Sequence, residues 1–223
     1  MANDYDLPPN ERDIADRFHQ LYYDKRLPPN NHRIWEQTHW MGFPVLKTPA
    51  DLWTYQEIVF ETKPDLVIET GTYASGTTLF LAQLMDLIGK GRVVSIDVQP
   101  LSLRAQHDRI TYLTGSSADP AIAQAAAAHC AEGASCMVIL DSDHTQAHVA
   151  KELALFSPLV SLGHYIVVED SNINGHPVYP SFGPGPYEAI EDFLRENPAF
   201  TADRSREKFL VSWNPHGYLR RTR

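Results

Sequence analysis

The sequence predicts one α/β domain built on a mainly parallel seven-stranded sheet, with an antiparallel C-terminal strand and helices on both faces. Two observations carry this prediction. From Asp65 onward, apolar runs of four to six residues alternate with longer amphipathic stretches, and no Pro/Gly/Ser-rich linker divides the 223 residues. Strand-like runs that alternate with helix-like stretches indicate βαβ units, and such units form parallel sheets.

The individual elements follow from the spacing of apolar residues. Strands are predicted at residues 65–69, 92–97, 110–113, 136–141 and 164–169, and helices at residues 76–89, 119–131, 146–159 and 186–196. The late run EKFLVSWNP predicts a last strand at residues 208–213, paired with a neighbour near residues 199–203.

The N-terminal part differs in pattern from the rest. We expect residues 1–50 to form a helical and aromatic appendage, either a lid or an oligomer contact, on a main domain at residues 51–223. Its helix is predicted within ERDIADRFHQLYYDK, where apolar residues recur every three or four positions. The aromatic residues that follow suit a substrate wall or a packing seam, and both interpretations stay open. They are Trp35, Trp40, Phe43, Trp53 and Tyr55.

Composition excludes several classes of partner. The net charge of −9 leaves no broad cationic surface, which argues against nucleic acid as a ligand. Two cysteines, Cys130 and Cys136, are too few for a disulfide framework and lack a zinc-like spacing. No signal-peptide pattern and no apolar stretch of membrane-spanning length is present, so we expect a cytoplasmic protein without a membrane partner.

Acidic residues end two of the apolar runs. Asp141 closes CMVILD, and Glu169 and Asp170 close HYIVVED. Because the carboxyl ends of parallel strands share one edge of the sheet, these three carboxylates are predicted to converge there. Carboxylate oxygens favour a hard cation such as Mg²⁺. The alternative is that these acids cap a helix or form solvated charge at the strand ends.

A glycine-bearing turn follows the first strand. DLVIE ends at Glu69 and continues as TGTYASGTT, so Gly71 and Gly76 allow a sharp turn close to a ligand. The turn lacks the Gly-x-Gly-x-x-Gly dinucleotide fingerprint and the Gly-Lys-Ser/Thr of a phosphate loop. An ordinary βα turn is the alternative.

This turn, taken with Asp97 at the end of the second strand, resembles the cofactor site of class I S-adenosylmethionine-dependent methyltransferases. The resemblance implies a Rossmann-like fold, in which the glycine accommodates the methionine part of the cofactor and the second acid binds the ribose hydroxyls. Thr72 lies in the same turn, and Asp141 is expected on the sulfonium side. Ser116, in GSSADP, is either an adenine-pocket residue or a helix cap.

A histidine lies close to the predicted metal edge. His144 is three residues past Asp141 in DSDHTQAH, where it can take a proton from a substrate hydroxyl. An aliphatic alcohol is a poor nucleophile at neutral pH, so a bound metal and a nearby base together suit its activation. Asp143 is a second candidate, as an outer ligand or as the group that orients His144. His148 could serve in place of either.

Longer segments resemble a specific family, the cephalosporin-hydroxylase-like (CmcI-like) proteins, which include macrolide sugar and rhamnosyl O-methyltransferases. The likeness covers residues 35–221 and includes WMGFPVLKTPADLWTYQEI, LDSDH, VVED, FGPGPYEAIEDFL and FLVSWNPHGYLRR. It implies metal ligation by Asp141, Glu169 and Asp170. It also implies that His144 is the general base and that Glu69, Gly71 and Asp97 contact the cofactor.

The sequence therefore predicts an S-adenosylmethionine- and Mg²⁺-dependent O-methyltransferase acting on a sugar or another small natural product, with a glycoside or a phenol as acceptor. The segment NINGHPVYPSFGPGP is expected to close the acceptor pocket. One rival is an Fe²⁺-dependent oxygenase that uses the same carboxylates, although the 2-His-1-carboxylate pattern is missing. Another is a non-catalytic cofactor-binding subunit. A homo-oligomer is left open.

Overall fold

The N-terminal part folds as one helix, two short hairpins and a second helix, all packed beside a central sheet. The computed structural model describes residues 6–100 and 104–223. Residues 1–5 of the predicted appendage lie outside this description. The N-terminal elements are α1 (Pro9–Asp24), β1 (Arg26–Leu27), β2 (His32–Arg33), a 3-10 turn (Trp35–Gln37), β3 (His39–Trp40), β4 (Phe43–Pro44) and α2 (Pro49–Thr62).

A seven-stranded sheet forms the centre of the fold, as predicted. Its strands are β5 (Leu66–Thr70), β6 (Arg92–Asp97), β7 (Ile110–Thr114), β8 (Cys136–Leu140), β9 (Tyr165–Val168), β10 (Phe200–Ala202) and β11 (Tyr218–Arg221). They lie in the order β10-β11-β9-β8-β5-β6-β7. Strands β5 to β9 are parallel, whereas β11 runs antiparallel to both β9 and β10. Strand β8, which precedes Asp141, therefore lies beside β5, and β9, which precedes Glu169, lies next to β8 on its other side.

Helices cover both faces, which confirms the predicted layers. The remaining helices are α3 (Gly76–Ile88), α4 (Pro120–Ala127), α5 (Gln146–Phe156) and α6 (Pro186–Glu196). Alternate residues of each buried strand point to opposite faces. Ile68 and Val138 pack in the cluster that holds Leu153 of α5, whereas Val67 packs with α2 and α3.

Local chemistry sets where several helices begin and end. The Thr48 hydroxyl accepts a hydrogen bond from the Asp51 amide at 3.0 Å, and Pro49 follows as the first residue of α2. Gly89, at φ +78°, ends α3 in the left-handed conformation that glycine adopts at little cost. Asp119 caps the start of α4. The helix ends at Ala127, earlier than predicted, and residues 128–130 form turns.

The predicted strand at residues 208–213 is wrong. This segment is turn and loop, and the antiparallel strand that pairs with β10 is β11. The reason is a set of hydrogen bonds to a residue that is distant in sequence. The buried Asp51 carboxylate accepts hydrogen bonds from the Ser212 hydroxyl at 2.6 Å, the Trp213 amide at 3.1 Å and the Tyr218 hydroxyl at 2.9 Å. These bonds tie the apolar run to α2 instead of to the sheet.

Helix α1 packs on the rest of the protein through one face. Ala15, His19 and Tyr23 are buried there. The His19 Nε2 lies 2.9 Å from the Asn172 Nδ2, just past the acidic end of β9. Because the amide nitrogen is a donor, the bond requires an unprotonated Nε2. The predicted boundary between residues 50 and 51 lies in the first turn of α2, and the division into two units stays a prediction.

None of the helices in the described ranges is both long and apolar enough to span a bilayer.

The docking of α1 is expected to depend on pH. Burial lowers the pKa of His19 from 6.5 to about 4, so the unfolded chain binds more protons between these values. Stability should therefore fall as the pH drops from 7 to 4, by up to about 3 kcal/mol for this group, and should change no further below that range.

Urea unfolding of the wild type and of His19→Gln across this range measures the effect as a difference, since both proteins share every other titrating group. His129→Gln serves as the matched control. If the free energy of unfolding changed with pH in the same way for the wild type and His19→Gln, the prediction would be contradicted.

Candidate functional site

The site lies where the parallel strands end together. Thr70 is level with Leu140, and Leu140 is level with Val168, so the residues that follow these strands meet at one edge. Gly71, at φ +81°, makes this possible, because a Cβ built there would fall 1.7 Å from the Asp141 carbonyl oxygen. Its lack of a side chain therefore serves the close approach of two strand ends.

Three of the predicted residues form a compact group. Asp141, His144 and Asp170 each offer one ligand atom, and these atoms all lie within 4.8 Å of one another. The His144 Nε2 lies 3.0 Å from the Asp170 Oδ2. Asp170 has a left-handed backbone, with φ +55°, a conformation that aspartate tolerates better than most residues do. Two carboxylates and one imidazole therefore face a common point.

Glu169, the third predicted ligand, has other partners. It is buried and lies between the Lys47 ammonium, 2.7 Å from its Oε1, and the Tyr55 hydroxyl, which donates to the same oxygen. Lys47 is also buried, and its Nζ lies 2.7 Å from the Asp141 Oδ2. A single ammonium thus bridges two of the three acids.

Sequence reasoning missed Lys47. Its only local signal is a lone lysine in the apolar run FPVLKTP, directly before the Thr48 cap of α2. A lysine in such a run has to find an acid when the run is buried.

Burial and charge act against each other in this cluster. Burial raises the pKa values of Asp141 and Glu169, and the Lys47 ammonium offsets part of that rise. Burial alone would lower the pKa of Lys47, but the two carboxylates outweigh it and raise the pKa instead. Burial likewise opposes charge on His144, yet the carboxylates, with Asp170 first, raise its pKa. Asp170 keeps a lowered pKa beside His144 despite its own burial.

A further acid, Glu69, lies near the end of β5, just before the glycine turn. Glu69 is buried, and its Oε2 accepts hydrogen bonds from the Ser95 hydroxyl at 2.6 Å and from the Thr78 hydroxyl. Its Oε1 is buried without a hydrogen-bond partner among the described residues. Burial raises the pKa of Glu69 to about 7, against the effect of the two hydroxyl bonds. Thr72 is buried and bonds to the Ser95 Oγ at 2.7 Å.

The other predicted cofactor residues have different surroundings. Asp97 accepts hydrogen bonds from the Tyr73 and Gln99 amides, each at 3.0 Å, and lines the main cavity. Gly76 lines the same cavity, but a Cβ there would lie 2.1 Å from the Pro44 carbonyl oxygen. Its absent side chain therefore lets β4 pack on the start of α3.

Ser116 does not line the cavity. It is exposed, and its hydroxyl accepts from the Ala118 amide at 3.3 Å. The next residue, Ser117, is buried in the cavity wall and lies 3.2 Å from the Ser142 Oγ and 3.2 Å from the His148 Nε2. Neither predicted role describes Ser116, since the residue that caps α4 is Asp119. A one-residue shift in a loop cannot be read from a sequence pattern.

Asp143 also differs from expectation. Its Oδ1 accepts hydrogen bonds from the Thr145 amide at 2.8 Å and from the Thr145 hydroxyl at 2.6 Å. These bonds lower the pKa of Asp143 and hold it at the start of α5. The carboxylate that orients His144 is that of Asp170. His148 bonds instead to Ser117 and Ser142.

One cavity of about 650 Å³ lies at this edge of the sheet. Gly71, Thr72, Asp97 and Ser117 line one end, and Asp141, His144 and Asp170 line the middle. The other end is apolar and aromatic, with a wall that we call the aromatic wall. Its members are Tyr23, Trp35, Ile173, Tyr179, Phe182 and Trp213.

The predicted aromatics divide between the two interpretations. Trp35 belongs to the aromatic wall and packs edge-on against Trp213, with ring centroids 5.2 Å apart. Trp40 instead packs on Phe80 of α3, with centroids 4.9 Å apart, and Tyr55 lies in the core. Trp35 thus suits a substrate wall, while Trp40 and Tyr55 form a packing seam.

Comparison with known proteins agrees with this geometry. The family model described as Rhamnosyl O-methyltransferase/CmcI matches residues 32–222. A rhamnosyl O-methyltransferase of Mycobacterium leprae is 42% identical over 212 residues, which are 92% of this chain and 90% of that protein. One of Mycobacterium tuberculosis is 42% identical over 213 residues, 92% of this chain and 84% of that protein.

Structural comparison gives the same fold. A solved CmcI structure described as Mg-SAM has a TM-score of 0.66 at 18% identity, with 100% of this chain and 88% of that chain covered. The chain belongs to the rhamnosyl O-methyltransferase/CmcI family. This confirms the predicted family, the class I methyltransferase fold and the enzyme class, an O-methyltransferase.

Lys47 is expected to be essential for the stability of the acidic cluster. Lys47→Met removes the ammonium and leaves two buried carboxylates without their partner, which should lower the free energy of unfolding by about 3–5 kcal/mol.

The matched control is Lys90→Met, because Lys90 pairs with Asp65 at the surface and should contribute about 1 kcal/mol or less. Denaturant unfolding of both variants makes the comparison. If both variants lost the same free energy of unfolding, the buried Lys47 bridge would stabilise the protein no more than the surface pair does.

Proposed function

We propose that this O-methyltransferase takes its methyl group from S-adenosylmethionine, works with Mg²⁺ and methylates a sugar hydroxyl of a small glycoside. The observation that carries the proposal is the single cavity, in which the glycine turn, the Asp141–His144–Asp170 group and the aromatic wall lie in sequence. Donor, proton acceptor and substrate wall are thereby adjacent.

The cofactor end suits a cationic ligand. Asp97 lines this end of the cavity, and Glu69, two residues before the cavity-lining Gly71, has a buried Oε1 without a hydrogen-bond partner among the described residues. S-adenosylmethionine carries a sulfonium and an ammonium group, and acidic neighbours favour both. The CmcI structure described as Mg-SAM supports S-adenosylmethionine as the ligand. The contacts of Glu69, Gly71, Thr72 and Asp97 with the cofactor stay predictions.

The middle of the cavity suits a hard divalent cation. Asp141 and Asp170 offer carboxylate oxygens within 4.8 Å of each other, which fits Mg²⁺ better than a softer metal. Glu169 as a ligand stays a prediction, because one of its oxygens is bound by Lys47 and Tyr55. When bound here, Mg²⁺ would supply positive charge that lowers the pKa of an acceptor hydroxyl and of the His144 imidazole.

His144 has the geometry of a general base. Asp170 accepts a hydrogen bond from its Nε2, which fixes the ring and leaves Nδ1 as the nitrogen that can take a proton. The acceptor hydroxyl would give its proton to this nitrogen while its oxygen forms the new bond to the methyl carbon; the bond between that carbon and the sulfonium sulfur would break, and S-adenosylhomocysteine would be the leaving group. The protein contributes positioning, since the donor and acceptor ends of the cavity meet at this group.

The acceptor end favours a glycoside. Tyr23, Trp35 and Trp213 line this end and pack against one another, and aromatic rings pack well against the C–H faces of a deoxysugar. The 42% identical relatives are described as rhamnosyl O-methyltransferases, which supports a rhamnosyl-type sugar. Residues Ile173, Tyr179 and Phe182, from the predicted covering loop, complete the wall. A phenol is the weaker alternative.

The cytoplasmic location is retained as a proposal. The free cysteines Cys130 and Cys136 support a reducing, cytoplasmic location.

The oxygenase rival has less support, because the cluster contains one histidine and two aspartates instead of two histidines and one carboxylate.

Turnover is the direct test of the proposal. The purified protein should transfer one methyl group from S-adenosylmethionine to a rhamnoside, EDTA should abolish the reaction, and added Mg²⁺ should restore it. Asp170→Asn should raise the Mg²⁺ concentration needed for half-maximal rate by about tenfold or more.

Asp143→Asn is the matched control, since Asp143 lines the cavity but is bonded to Thr145. Mass spectrometry of the product measures the reaction. Product formation that needs O₂ and a reductant would favour the oxygenase, and cofactor binding without methylation of any glycoside or phenol would favour the non-catalytic subunit.

The role of His144 is tested separately. His144→Ala should lower kcat on a sugar hydroxyl by roughly 10² to 10⁴, with little change in the Kd of S-adenosylmethionine, because the lost group acts on the acceptor proton. His148→Ala, a histidine in the same cavity bonded to serines, should keep kcat within about tenfold. A normal kcat for His144→Ala would remove it as the base.

A further inference from the structure

Helix α1 carries an apolar stripe on the side that faces away from the protein. Ile14, Phe18 and Leu21 recur at helical spacing and are 65%, 55% and 59% exposed. The opposite side of the same helix is buried. A stripe of this kind on a well-formed helix has the pattern of a helix-pairing seam, because exposed apolar residues normally occur singly.

The stripe continues into a groove. A cavity of about 470 Å³ runs beside α1, between Ile14 and Phe18 on one side and Phe209 and Leu210 on the other. Phe209 and Leu210 are themselves largely exposed. The loop that was predicted to be a strand therefore enlarges the apolar surface of α1 and gives it a concave edge.

Opposite charges lie at the two ends of the stripe. Glu11 is seven residues before Phe18 and Lys25 is seven residues after it, and both are exposed. At about 1.5 Å per residue, each lies about 10 Å from Phe18 along the helix axis. Seven residues are close to two helical turns, so both charges lie on the same side as Phe18.

We propose that the outer face of α1 is a two-fold homodimer interface, in which α1 packs antiparallel on α1 of a second copy. With Phe18 on the two-fold axis, Glu11 lies opposite the partner's Lys25, and Ile14 lies opposite the partner's Tyr22. The arrangement is self-complementary in both shape and charge, as a two-fold interface requires.

The charges favour a second copy of this chain over an anionic lipid surface as the partner of this face. The chain has a net charge of −9, and α1 carries the exposed acids Glu11, Asp13 and Asp24, which disfavour an anionic lipid surface. A standard interface buries about 800 Å² per partner, so a dimer would be expected to use apolar surface beside the stripe as well. Phe209 and Leu210 supply further apolar surface at its edge.

The interface bears on the site through the same helix. Tyr23 of α1 lines the aromatic wall, and His19 bonds to Asn172 next to the acidic cluster. Pairing of the outer faces would hold the inner faces, and with them one wall of the acceptor end, in place.

Sedimentation velocity over a range of protein concentrations tests the proposal. The wild type should be a dimer or an assembly of dimers. Phe18→Asp places two carboxylates on the axis and should weaken the dimer Kd by at least about 100-fold. Leu87→Asp is the matched control, because Leu87 is 84% exposed on α3 and should leave the Kd unchanged. Circular dichroism and thermal melting check that both variants stay folded.

Charge reversal tests the antiparallel register. Lys25→Glu alone and Glu11→Lys alone should each weaken the dimer by about 5-fold or more, and the double variant should recover most of the loss because both pairs re-form with reversed sign. Additive losses in the double variant would overturn the register.

A wild type that stays monomeric at its highest soluble concentration would overturn the interface, and so would a dimer that survives Phe18→Asp. Flotation of a monomeric wild type with neutral phosphatidylcholine vesicles, lost in Phe18→Asp, would assign the face to lipid and equally overturn the proposal.

Discussion

The crowding of negative charge at one edge of the sheet is the constraint on which the rest of the structure depends. Asp141, Glu169 and Asp170 meet there because two parallel strands, β8 and β9, end in register. Buried carboxylates need positive partners, and the structure supplies Lys47 for two of them and His144 for the third. Lys47 comes from the segment just before α2, so the charge balance of the site holds the N-terminal part against the sheet. The same arrangement leaves carboxylate oxygens of Asp141 and Asp170 directed at a common point.

The segments outside the parallel sheet build most of the acceptor end. Tyr23 comes from α1, Trp35 from the following 3-10 turn and Trp213 from the loop before β11. Asp51 fastens that loop to α2 through Ser212, Trp213 and Tyr218, while Trp213 packs against Tyr23 and Trp35. The sheet thus presents the glycine turn and the acids, and the surrounding segments shape the aromatic part of the cavity, where we propose that the substrate binds. The fold itself is shared with a solved CmcI structure at 18% identity.

Helix α1 connects three features through its two faces. Its inner face reaches the acceptor end by Tyr23 and the strand-end loop by the His19–Asn172 bond, and its outer face carries the exposed stripe around Phe18. The N-terminal segment therefore lines the cavity and carries the proposed interface at once, and its role as a lid or an oligomer contact stays a prediction. A surface helix whose two faces are both apolar in part is well suited to link assembly with the geometry of a cavity.

The sequence by itself determined the mainly parallel sheet and placed Asp141 and Asp170 at one edge with His144 close by, because apolar periodicity and strand-end acids are local signals that a parallel sheet converts directly into position. The family followed from longer segments that resemble it. Tertiary structure decided what depends on partners distant in sequence. It turned residues 208–213 into a loop bound by Asp51 and directed Glu169 to Lys47 and Tyr55. It also placed Ser117 instead of Ser116 in the cavity wall and left Phe18 outside. A pattern of residue types cannot specify such choices, since a buried charge or hydroxyl takes whichever partner the packed chain brings within hydrogen-bond distance.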